Sequence, residues 1–315
     1  MQYDNHSVRP IRPRMSKQTH AAVPPATSGA AEPAASRTAS ALQALATCGY
    51  GLWVLLGLAM TLGIYSDGRG EALVPLTLGG VLVSLGLLLA VLRMPAVPDW
   101  HGWQFGQSRR PTREALIALA AYLPVLAVAA LARGDNVFWA TRVASLALML
   151  CSLACLAVAS RPQQLRHIPD LQARPALLPV NRVVAGCYSG GLWLWSCVMA
   201  QDQSSRSGLP WVLGLLVLAL LLGLLESVRW QSLSATSASA GSAIAQPWSN
   251  GRFLAAVLVY AVPCMLLLLA HFLHDTLWLA AIAALSSLLG ISIEQWLYDR
   301  ALSRHCEQPH DGAKP

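Results

Sequence analysis

The chain has 315 residues, 55% of them hydrophobic and 12% charged, and its mean hydropathy is +0.49. A soluble domain carries about 25% charged residues, so a water-soluble globular protein is excluded and an all-α integral membrane protein is expected. The net charge of +7 does not point to nucleic acid, because the basic residues sit in the polar segments between apolar runs, as membrane orientation requires.

Residues 1–40 are rich in Pro, Ala, Ser and Arg and hold no apolar run, which predicts a disordered basic tail. No short apolar stretch with a cleavage site follows the basic start, so it does not read as a signal peptide, and Met15 is an alternative start. Residues 41–300 are expected to form a transmembrane domain and 301–315 a C-terminal tail. Eight apolar runs are long enough to cross a hydrocarbon core of roughly 30 Å as helices. They cover about 42–64, 72–92, 115–133, 137–159, 183–200, 209–225, 253–273 and 276–298. The connections after the first, third, fifth and seventh spans are short. Those after the second, fourth and sixth are long, and the 160–182 segment divides the spans into two expected four-helix halves.

The N-terminal tail, the long loops and the C-terminal tail hold 18 of the 22 Lys and Arg residues. The positive-inside rule then places both termini in the cytoplasm, and the expected location is a bacterial inner membrane. Gly79, Gly80, Ser84 and Gly86 in span two, and Gly186, Ser189, Gly190 and Gly191 in span five, form small faces that let helix backbones approach closely in lipid. Pro124 and Pro263 lie mid-span, where proline kinks a helix. All cysteines but Cys306 lie inside apolar runs without a CxxC pair, and read as small core residues.

Ionisable groups in lipid are costly and are candidates for function. Glu114 opens span three beside Arg113, and Arg142 lies in span four. Glu226 closes span six with Arg229 on the same face, which reads as a boundary ion pair. Glu294 lies in the last turns of span eight, and His271 and His274 end span seven. No other span carries a mid-membrane histidine to complete a bis-histidine haem site, so no haem and no metal are expected. Glu114 and Glu294 are the carboxyl groups that a bland account explains least.

The loop Leu92–Leu116, LRMPAVPDWHGWQFGQSRRPTREAL, is longer than a helical hairpin needs and carries Trp100, His101, Trp103, Arg109 and Arg110. One reading is an interfacial loop of Trp rings at headgroup level and arginines on an anionic leaflet. The other is a chemical site.

This loop resembles the signature loop between spans two and three in the membrane-anchor subunits of the dimethyl sulfoxide reductase family, one of the polysulfide-reductase-like membrane subunits. Glu114 falls on that family's Glu, Thr112 on its Ser, Arg113 on an Arg or Asn position and Trp100 on its aromatic. Gly290–His305 is similar to the family's ending of span eight, and the 161–182 segment to its basic linker before span five. The family's loop histidine falls on Leu92, and its proline on Ala96 with Pro95 beside it; His101 lies nine residues downstream of the histidine position.

The resemblance implies an anchor for a four-cluster iron–sulfur subunit and a molybdopterin catalytic subunit in anaerobic electron transport. Menaquinol would bind near the loop, at Trp100, His101, Trp103, Arg113 and Glu114, and Glu114 would accept a proton. The subunit would be a non-catalytic, quinol-oxidising part of an oxidoreductase complex. Two alternatives stand beside it: a small-solute or ion transporter using Arg142 and Glu294 as a buried pair, and an anchor without quinol chemistry.

Overall fold

The computed structural model describes residues 37–65, 70–93, 119–131, 139–158, 177–201, 209–239, 249–272 and 277–307. Their regular structure is entirely helical. In chain order the helices are α1 (Arg37–Thr61), α2 (Leu73–Arg93), α3 (Tyr122–Leu131), α4 (Trp139–Val158), α5 (Leu177–Ala200), α6 (Leu209–Ser239), α7 and α8 (Leu277–Glu307). Helix α7 is composite: Ser249–Ala256 and Val262–Phe272 are joined by a π-helical turn, Val257–Ala261.

Six of these helices are long and apolar enough to cross a membrane, and α2 and α3 supply shorter apolar stretches, Leu73–Leu87 and Tyr122–Leu131. The described residues are thus all-helical, and the chain is a multi-pass membrane protein. Helix α1 begins at Arg37, ahead of the expected start near 42, and its Ser40 is already buried. Pro124 sits in the first turn of α3, and helical residues Leu119 and Ala120 precede it across the single turn residue Ala121, an interruption three residues before Pro124 of the kind proline causes.

Helices α1 and α5 form the centre. In their spans 78% of residues are buried within protein, against 22–39% in the other four long spans. Glycine makes this possible on each side of α1. A Cβ at Gly51 would strike the carbonyl of Gly186, and one at Gly190 would strike the backbone of Leu52. A Cβ at Gly57 would lie 2.6 Å from the Ser145 carbonyl of α4, and one at Gly49 would lie 2.9 Å from the Gly79 carbonyl of α2. Polar groups are paired along the same seams. The Cys48 thiol donates to Ser189 Oγ at 3.0 Å, and Trp53 Nε1 donates to the Leu76 carbonyl at 3.1 Å.

Two hydrophobic clusters flank this crossing. One draws on α1 to α5 with Trp53, Leu56, Val128, Leu148 and Leu194. The other draws on α5 to α8 with Tyr188, Leu222, Leu267 and Ile291, and on Ala44 of α1. The start of α1 meets the end of α8, where the Arg37 guanidinium lies 4.7 Å from the Trp296 ring centroid. At the other end of the bundle, Tyr65 donates to Gln201 Oε1 at 2.8 Å and Gln201 Nε2 donates to the Glu71 carbonyl at 2.7 Å. Burial pushes the Tyr65 phenol up from its ordinary range, which keeps this latch protonated.

Candidate functional site

The carboxyl groups of Glu226 and Glu294 are both buried and lie within hydrogen-bonding reach of each other. They line a cavity of about 420 Å³ between α6, α7 and α8. Helix geometry sets the contributors. Glu226 and Trp230 are four apart and share a face of α6, as Glu294 and Leu297, three apart, do on α8. Gly223, one turn before Glu226, faces the Tyr260 ring, which would lie in ordinary contact, 3.8 Å, from a Cβ there.

The third wall comes from the π turn of α7. The Val262 N–H bonds to the Val257 carbonyl, five residues back, so the Leu258 carbonyl loses its α-helical donor. Pro263 has no N–H to offer Leu258 or Val259. Both carbonyls are satisfied from outside: Ser286 Oγ of α8 donates to Leu258 O at 2.8 Å, and Tyr188 Oη of α5 donates to Val259 O at 2.8 Å. Gly290 lets α8 come this close, since a Cβ there would lie 2.8 Å from the Val259 nitrogen. Within the turn, Tyr260 donates its hydroxyl to Glu226 Oε2.

Trp230 completes the polar set. Its Nε1 donates to Glu294 Oε1 at 3.3 Å, its face carries the Arg252 guanidinium at 4.1 Å, and its ring meets Tyr298 edge-on at 5.8 Å. The Arg229 guanidinium lies 3.2 Å from the Tyr298 ring centroid. Arg229, Arg182 and Asp299 interact electrostatically, and the Gln43 amide, turned oxygen first, accepts from Arg182 at 2.8 Å. The carboxyl pair therefore sits one layer inside a belt of arginines on aromatic rings, a composition suited to the lipid–water boundary. Phe253, Ala255 and Ala256 supply an apolar wall. Such a pocket can hold a flat ring while offering two carboxyl groups and a phenol that can exchange protons with it.

The expected boundary pair of Glu226 and Arg229 is only part of the arrangement. Glu226 takes Tyr260 and Glu294 as partners, while Arg229 contributes its charge from the Tyr298 ring. Arg142 is not brought to Glu294. Its guanidinium lies near Gly63, past the end of α1, whereas Glu294 lies in the α8 segment that meets the start of α1; the intervening 25-residue helix is about 37 Å long at 1.5 Å per residue. Trp100, His101, Trp103, Arg109, Arg110, Arg113, Glu114 and His274 lie outside the described residues. Tyr260, Trp230 and Arg252 are site residues that composition and periodicity do not single out. The available signals are Trp230 four residues after Glu226, and Pro263 three residues after the one tyrosine of its apolar run.

No known protein family, curated protein or solved structure matches this chain.

Proposed function

We propose that this chain is the membrane-anchor subunit of a molybdopterin oxidoreductase complex and that it binds a quinol. The observation that carries the reading is the Glu226–Glu294–Tyr260 cavity: a ring-sized space with paired carboxyl groups, a phenol and an indole. A quinol headgroup presents two hydroxyls on a flat ring. The ring would lie against Trp230 and Phe253, and the hydroxyls would donate to Glu226 and Glu294. On oxidation the carboxyl pair takes up one O–H proton and the other is passed on out of the cavity, while two electrons leave for an iron–sulfur cluster of a partner subunit. The loop of Trp100, His101, Trp103, Arg113 and Glu114 belongs, in this reading, to the same quinol path and to partner docking, with Glu114 accepting a proton. Menaquinol is the expected quinol and the bacterial inner membrane the expected location, with the arginine-rich end in the cytoplasm.

The paired carboxyls also favour a second reading, a proton-coupled transporter of small solutes, in which Glu226 and Glu294 rather than Arg142 and Glu294 form the exchanging pair. The two readings separate in one experiment. The full chain in nanodiscs is titrated anaerobically with menadiol, a naphthoquinol without a tail. Glu226→Gln and Glu294→Gln are each expected to weaken binding about tenfold, the cost of one charge-assisted hydrogen bond in a buried site. Absence of menadiol binding by the unmodified chain would remove the quinol reading, and proton-driven solute uptake into proteoliposomes that both variants abolish would establish the other.

A further inference from the structure

The π turn of α7 holds Tyr260 in place, and the turn itself is held by two side chains that never reach the cavity. We infer that Tyr188 and Ser286 are positioning residues for the site: by capping the Val259 and Leu258 carbonyls they keep the turn π-helical and so keep the Tyr260 hydroxyl on Glu226.

The argument starts from backbone bookkeeping. A buried carbonyl without a donor is costly in lipid, where no water substitutes. In an uninterrupted α-helix the donor for Leu258 would be Val262 and the donor for Val259 would be Pro263. Val262 bonds to Val257 instead, and Pro263 has no N–H. The turn is therefore tolerated only where donors arrive from other helices. Two do: Tyr188 on α5, fully buried, and Ser286 on α8, both at 2.8 Å. Neither residue lines the cavity.

Geometry links the caps to the site. A π turn carries one extra residue, which offsets the helix before it from the helix after it by about 100°, the rotation of one α-helical residue. Arg252 and Phe253 lie before the turn and Tyr260 lies within it. If the turn relaxed, Tyr260 would change direction relative to Arg252 and Phe253 and would leave Glu226. Gly290 adds a steric side to the same grip, because α8 presses on Val259 where any side chain at Gly290 would intrude.

The identity of the ligand rests on the proposed quinol reading, whereas the positioning role does not, so two readouts are needed. The first is the infrared carboxyl stretching band of Glu226 in the ligand-free full chain, assigned as the band that Glu226→Gln removes and Tyr260→Phe shifts. Tyr188→Phe is expected to shift that band in the same direction as Tyr260→Phe, and to add no shift when Tyr260→Phe is already present. Ser286→Ala is expected to do the same, and serves if Tyr188→Phe does not fold. The second readout is menadiol affinity, expected to fall about fivefold to tenfold in Tyr188→Phe and no further in the double variant. A Tyr188→Phe or Ser286→Ala chain that folds, melts earlier and leaves the Glu226 band where it was would overturn the inference and leave both residues with a packing role only. A shifted band with no menadiol binding by any form of the chain would uphold the positioning role and remove the quinol reading.

Discussion

Single atoms decide how closely the central helices approach. At Gly51 and Gly190 the missing Cβ is the space occupied by the other helix's backbone, so neither neighbour can yield by rotating a side chain. Gly190→Ala should force α1 and α5 apart and destabilise the protein by about 1–3 kcal/mol, the usual cost of overpacking. Gly214→Ala, on α6 with nothing within 4 Å of its Cβ position, should leave stability unchanged or slightly raised. Thermal unfolding in detergent compares the two, and equal losses would contradict the packing account. The face of Gly186, Ser189 and Gly190 was legible as a run of small residues within an apolar span. Its counterpart on α1 was not, because Gly51 and Cys48 stand among Tyr50, Leu52 and Trp53 and no spacing rule marks which helix they will meet. Glu226 and Glu294 were each legible as ionisable groups at a lipid boundary, but their meeting depends on the tertiary placement of α6 and α8, which composition does not carry.

At the level of the helix, hydropathy reports the part in lipid and not the helix itself. The apolar run of α6 ends near 225, yet the helix continues to Ser239, and α8 continues to Glu307. Neither extension contains Gly or Pro within the described residues, so polarity alone does not end a helix. These extensions matter because Trp230, Tyr298 and Asp299 lie on them, past or at the expected ends of their spans. Helix α7 fails in the opposite sense: its apolar run is continuous, and a π turn has no composition of its own. Pro263 is the one local mark, read as a kink and found as the reason two carbonyls need outside donors. Pro263→Ala restores an N–H to this stretch and makes a regular α-helix possible. The variant should be at least as stable as the native protein while binding menadiol more weakly, a pairing that a simple loss of packing would not produce. Melting temperature and affinity measured on one preparation test it, and unchanged affinity would detach the turn from the site.

Over the whole molecule, two hydrophobic clusters share one seam, and the outer helices turn leucine and phenylalanine outward, Leu123, Leu220, Phe253 and Phe272 among them. The long 160–182 segment was legible as a divider of the spans, although α1 packs on α2, α4, α5 and α8 alike. The central position of α1 and α5 was not, since every span is apolar enough to serve as either core or rim. The anchor reading belongs to this scale, because it concerns what the molecule holds rather than what one site does. Purification from native membranes in mild detergent should bring down an iron–sulfur protein and a molybdopterin protein, with iron and molybdenum in the eluate. Elution of the chain alone and metal-free, under conditions that keep such complexes intact, would remove that reading. The glycine seam also bears on how the protein is made. Helix α1 leaves the ribosome first, but the surface its glycines are shaped for belongs to α5, which follows only after α2, α3, α4 and the long middle segment have been synthesised. Until then a small and partly polar face of α1, with Thr47 and Cys48, has lipid where it will later have protein. The first half of the chain is thus inserted before it can be completed, and the newly made intermediate is the form most exposed to membrane quality control.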